Sequence, residues 1–191
     1  MADAVIYKII DGDFINEFSV KLSPFEIFEK EQINSYVTSY SLKWLDCAKY
    51  KHKIVKREPR IVEGWFFKKN NIFIIFSDSE SEIEFFLMRL TKTSNVKFNK
   101  VELFDDIIKG NRLISIVIKD INNSTAILNM VDINEDIFNE LLKNDEIINA
   151  TFEIKPILYF SVDKNSVISL PDNYSNKEIL NAYEEIIIEY I

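Results

Sequence analysis

The sequence predicts an α+β protein, a largely antiparallel sheet built from hairpins with interleaved helices packed on it. Three observations predict it. Alternating or continuous apolar runs come in pairs joined by turn-forming residues. Ser or Asn followed three positions later by Glu precedes stretches with helical apolar spacing. The two kinds of segment then succeed one another, hairpin before helix, about four times along 191 residues.

The first hairpin runs from Val5, Tyr7 and Ile9 through Asp11-Gly12 to Phe14, Phe18 and Val20, Asp-Gly being a strong hairpin signal. Ser23-Pro24-Phe25-Glu26 reads as a helix start at Pro24, with Ser as cap, Pro in the first turn and Glu reaching back. Leu42, Leu45 and Ala48 suggest a second helix, after which the Lys-rich continuation has no period. Ile61–Lys68 and Ile72–Phe76 form the second hairpin, turned at Lys69-Asn70-Asn71. The unbroken apolar run of Ile72–Phe76 predicts a strand covered on both faces. Ser79 with Glu82, and Asn99 with Glu102, announce two further helices, the second stopped by Gly110.

Leu113–Ile118 and Ala126–Val131 bracket Asp120-Ile121-Asn122-Asn123 as a third hairpin, followed by a helix carrying Ile137, Phe138, Leu141 and Leu142. Thr151–Ser161 and Val167–Leu170 make the fourth, turned at Asp163-Lys164-Asn165, with Pro156 marking an edge or bulge. Ser175 and Glu178 cap a last helix with the apolar stripe Ile179, Tyr183, Ile186, Ile187 and Tyr190. No residue-level repeat underlies this order. No Gly/Pro/Ser-rich linker divides the chain, so residues 1–191 are expected to form one compact unit with a soft boundary near residue 95.

Scarce residues exclude much chemistry. With only Gly12, Gly64 and Gly110, neither glycine-rich phosphate loop can be written. One His and one Cys cannot supply a four-ligand Cys/His zinc site or an internal disulfide. His52 sits between Lys51 and Lys53 with no orienting acid in sequence, and reads as a surface histidine. The opening residues lack a basic segment followed by a long apolar one, and no apolar run approaches membrane-spanning length. The expectation is a cytoplasmic protein without membrane contact or cofactor. The bias of 31 Ile, 18 Asn and 19 Lys against 4 Arg fits AT-rich codons, as in a low-GC bacterium or its phages.

Charge is the uneven feature. The chain carries a net −8, yet residues 43–60 total +5 and residues 120–191 total −10. Lys43, Lys49, Lys51, Lys53, Lys56, Arg57 and Arg60 are interleaved with Trp44 and Tyr50 and followed by Trp65, Lys68 and Lys69. Cations beside aromatic faces are the ingredients of a nucleic-acid platform; the same residues also suit a solvated face over core tryptophans, or docking on an acidic partner or a second copy.

Carboxylates give weaker patterns. Asp132, Asn134 and Asp136 begin a calcium-loop spacing that fails at Ile137 and Lys143. Asp145, Glu153 and Lys155 resemble the D…E-x-K arrangement of metal nucleases, without the expected following helix. Glu178, Glu184, Glu185 and Glu189 line one helix and suit either its solvent face or a phosphate-mimicking row. The sequence therefore leads to a non-enzymatic interaction protein, an accessory or inhibitory subunit acting by protein–protein contact or self-association. A nucleic-acid-binding module at residues 43–69 is the alternative, and a metal-dependent nuclease the third reading.

Overall fold

The computed structural model describes residues 2–11, 22–50, 53–91, 96–110, 112–119 and 124–191, of which 2, 11, 47–50 and 53–57 are described by strand pairing alone. Eleven strands and four α-helices fall within them. The chain divides into two compact units, Ala4–Lys100 (the N-unit) and Val101–Ile191 with Met1–Asp3 (the C-unit). Among the described residues no helix is long and apolar enough to cross a membrane.

The N-unit contains β1 (Ala2–Asp11, from Ala4 onward), β2 (Glu26–Gln32), β3 (Val37–Tyr50), β4 (Lys53–Phe67), β5 (Ile72–Phe76), α1 (Glu80–Thr91) and β6 (Lys97–Lys100). Its strands run antiparallel in the order β2-β3-β4-β5-β1, with β6 also paired to β1. The unbroken apolar run of β5 is central as expected, with Ile72 through Ile75 all buried. Asn71 takes a left-handed φ of 55° in the turn before it, a conformation Asn tolerates. On α1, Ile83, Phe86 and Leu90 are buried, and Phe86 meets Phe73 at 5.9 Å between ring centroids. Phe73 also contacts Tyr40 and Phe98, and each buried side chain of this kind contributes about 1.5–3 kcal/mol. Gly64 lies beneath the same ring: a Cβ there would stand 2.8 Å from Phe73 Cε1.

Two expected helices are strands instead. At Pro24 the local contact exists, since Glu26 Oε2 accepts from the Ser23 amide at 3.1 Å, but the chain then extends into β2. Phe28 packs on Tyr40 across the sheet and Glu26 pairs with Arg89 of α1; these contacts demand period two, and tertiary pairing overrides the cap signal. Residues 42–48, read as helical from Leu42, Leu45 and Ala48, belong to β3, where Leu42 lies between Phe28 and Val62. The far arm of the first hairpin, Phe14 to Val20, lies outside the described residues. The Ser79 start holds, although the reciprocal bonds run through Ser77, whose hydroxyl accepts from Ser79 N and donates to Glu82.

The C-unit contains α2 (Phe104–Ile107), β7 (Leu113–Lys119), β8 (Thr125–Asn129), α3 (Glu135–Lys143), β9 (Ile147–Lys155), β10 (Leu158–Asp163), β11 (Val167–Leu170) and α4 (Asn176–Tyr190). Its antiparallel order is β11-β10-β9-β7-β8. The third hairpin is β7–β8, with Val117 opposite Ile127. The expected strand Thr151–Ser161 is broken at Pro156-Ile157, where Ile157 has φ 78°; the missing Pro amide and the reversal make β9, β10 and β11 a three-stranded meander. Asp163 Oδ1 closes the next turn by accepting from Asn165 N and Val167 N. The α4 capping box of Ser175 and Glu178 is present, and the helix buries Ala182, Tyr183, Ile186 and Ile187.

Asn99 does not cap α2; it lies in β6. The cap comes from Ser166, whose Oγ accepts from Leu103 N at 2.9 Å and Phe104 N at 3.2 Å while donating to Glu102. The described elements thus make a mainly antiparallel α+β fold, without confirming a hairpin-then-helix order repeated four times.

Candidate interaction surface

The start of β2, the middle of β3 and β4, and the first turns of α1 meet at one corner of the N-unit. Register sets Ile27, Lys43 and Ile61 side by side, and Glu26, Trp44 and Arg60 in the adjacent row. Because successive strand residues face opposite ways, the second row meets α1. Trp44 packs on Phe85 at 4.8 Å, Arg89 lies over the Phe85 ring at 5.1 Å, and Arg89 pairs with Glu26, whose side chain is only 6% exposed. Arg60 reaches Glu82 at 3.4 Å and Glu58 at 3.7 Å.

A depression of about 460 Å³ opens on this side, lined by Glu26, Trp44, Asp46, Arg60, Glu82 and Phe85 among others. A second, of about 290 Å³, is lined by Phe25, Ile27, Lys43, Leu45, Pro59 and Ile61 among others. Phe25, Ile27 and Ile61 are 57%, 57% and 55% exposed. These three residues were not among the candidates read from sequence. The signal is the spacing of Phe25 and Ile27 on either side of Glu26, which the helix reading conceals.

The predicted cationic segment is split by topology. Lys43 and Arg60 lie in the sheet; Lys43 pairs with Glu29 at 2.6 Å and Arg60 with the two glutamates above. Beyond them β2 no longer accompanies β3 and β5 no longer accompanies β4, yet Asp46–Tyr50 and Lys53–Glu58 continue to pair with each other. This two-stranded ribbon carries Lys49, Lys53, Lys56 and Arg57 at its register positions; Lys51 and His52 lie outside the described residues. Residues 47–57 hold five Lys or Arg and no acid. Lys68 and Lys69 sit at the far end of β4, in and beside the turn to β5, where Lys69 lies over the Tyr36 ring at 4.6 Å. Trp65 packs on Phe76. The described basic and aromatic candidates are thus divided among the sheet, the ribbon and the β4–β5 turn.

The carboxylate candidates are dispersed. Asp145, at φ 59°, pairs with Lys164 at 2.6 Å, and Lys155 pairs with Glu185. The strand from Ile147 to Glu153 spans about 20 Å at ordinary rise, which keeps Asp145 and Glu153 apart. Asn134 caps α3 by accepting from Ile137 N. On α4, Glu178 serves the cap, where its bonds from Ser175 hold its carboxyl below the ordinary value, and Glu189 pairs with Arg112. Among the described residues no three His, Cys, Asp or Glu side chains converge as metal ligands.

Comparison with known proteins adds no relative: no protein-family model matches the chain, and no curated protein matches it.

Proposed function

We propose that the chain works by contact with a protein partner, as an accessory or inhibitory subunit, through the apolar corner of the N-unit. The observation that carries this reading is the cluster of Phe25, Ile27 and Ile61, each more than half exposed around an apolar depression. Isolated exposed apolar residues are ordinary, whereas Phe25, Ile27 and Ile61 gathered about one cation, Lys43 between the two isoleucines, have the mixed apolar and charged composition of a contact surface. The reading carries with it a cytoplasmic location and no cofactor. Its test is the double variant Ile27→Asp with Ile61→Asp. Retention of a partner from native-host lysate should be lost while the circular dichroism spectrum is unchanged; equal retention by the variant overturns the reading.

The ribbon favours a second reading, nucleic-acid binding. Five cations without an acid over residues 47–57 form a local polycation on a chain of net −8, and a two-stranded ribbon is of a size the major groove of a duplex admits. Changing Lys53, Lys56 and Arg57 to Glu should abolish binding to a duplex oligonucleotide and flatten its salt dependence. Unchanged affinity removes this reading.

A further inference from the structure

We infer that the outer edge of β8 is a docking edge for an extended, basic strand of a partner protein, which lengthens the C-unit sheet by main-chain hydrogen bonds. β8 ends the strand order of that unit, and no other described strand pairs along its outer side. Unpaired edges are normally blunted by charge, Pro or a bulge. β2, the edge of the N-unit, follows that rule: Glu26, Glu29, Lys30 and Glu31 are four of its seven residues. β8 breaks it. Its sequence Thr-Ala-Ile-Leu-Asn has neither charge nor Pro, and every residue but Leu128 is exposed. Ile127 is 73% exposed, and Val131, two residues past the strand, is 92% exposed. Free main-chain groups beside uncovered apolar side chains are the two elements of strand addition, one for affinity and one for specificity.

The surroundings select the occupant. Residues 124–146, which hold β8 and α3, contain six acids and one base; Lys119 lies opposite Thr125 and Lys164 pairs with Asp145, and the segment with these two cations still has a net −3. Asp132 is hydrogen-bonded to Asn129 at the end of the strand and is exposed. A second copy pairing through β8 would set Ile127 on Ile127 but would also bring two such acidic segments together. A strand alternating apolar and basic residues gains the same main-chain bonds in an attractive field. β8 belongs to the C-unit and the apolar corner to the N-unit, and the two share no residue, so the inference does not rest on that reading.

The test uses the full chain and two synthetic nine-residue peptides, one alternating Val with Lys and one Val with Glu, followed by fluorescence anisotropy and amide hydrogen exchange. The Lys peptide should bind saturably and slow exchange of the outward amides of Thr125–Asn129, while the Glu peptide should not bind. Ile127→Lys, at a site exposed enough to leave the fold intact, should weaken the Lys peptide by about tenfold through like-charge repulsion, and Val131→Lys should weaken it less. Ile27→Asp with Ile61→Asp should leave the affinity unchanged. Absence of binding, binding indifferent to Ile127→Lys, or protection on another strand overturns the inference. So does protection of β8 without peptide together with a doubled mass, which would make a second copy the occupant.

Discussion

In the N-unit, Tyr40, Phe73, Phe86 and Phe98 meet ring to ring across three strands and a helix. In the C-unit, polar groups tie distant parts of the chain: Ser166 to Leu103 and Phe104, Ser169 to Asp3, and Arg112 to Ile154 and Glu189. Charge divides them as well. Residues 4–100 carry a net +3, and residues 101–191 together with 1–3 a net −11. The C-unit also has ring contacts, Phe152 with Phe160 and Phe160 with Tyr190, so both units rest on apolar packing; the C-unit adds several hydrogen bonds that span more than 60 residues of sequence.

Breaking the ring cluster gives the largest expected effect. Phe73→Ala should cost the N-unit about 3–5 kcal/mol, read as faster amide exchange in β3, β4 and β5; a loss below 1 kcal/mol would deny the cluster its role. Next is Ser166→Ala, which leaves the Leu103 and Phe104 amides without their acceptor and should cost about 1–3 kcal/mol, read in the C-unit by denaturant unfolding. If the Ser166 effect exceeded the Phe73 effect, the long-range bonds would outweigh the packing. Ser175→Ala removes an exposed cap on α4 and should cost about 1 kcal/mol, seen as fraying of the first helical turn.

The smallest effect at neutral pH sharpens the comparison only in alkali. Burial pushes the Tyr40 phenol up from 10.0 to about 12, and burial followed by the charge of Asp3 pushes Tyr183 up as well. Both folded units therefore favour the neutral phenol. That stabilisation is full below pH 10.0, where the unfolded tyrosine is still protonated, and is lost as pH climbs through the raised folded value, near 12 for Tyr40. Tyr40→Phe should flatten the alkaline loss of stability in the N-unit and Tyr183→Phe in the C-unit. A variant that melts in alkali like the parent would show that its tyrosine is not the group titrating.

Legibility followed the range of the interactions. β5 and α4 were readable because a five-residue apolar run and the Ser175–Glu178 box are local. At Pro24 the local signal was real, as the Ser23–Glu26 bond shows, but β2 is decided by Phe28 meeting Tyr40 and Glu26 meeting Arg89, neither adjacent in sequence. Ser166 was invisible as a cap because it lies 63 residues from Leu103. For the candidate surface, the run of cations was plain. Its division into paired sheet residues and a ribbon depends on where β2 and β5 end, and the exposure of Phe25, Ile27 and Ile61 depends on what packs beside them.

The borrowed cap of α2 also sets an order of events. A four-residue helix cannot pay the entropy of its own nucleation, and its first amides, those of Leu103 and Phe104, are taken up by a hydroxyl from the β10–β11 turn. During synthesis the segment around Phe104 therefore leaves the ribosome long before its partner exists, and must wait uncapped until the meander has been made and folded back. α2 is a late clasp rather than a nucleus, and chains that stop short of Ser166 should emerge with that clasp open.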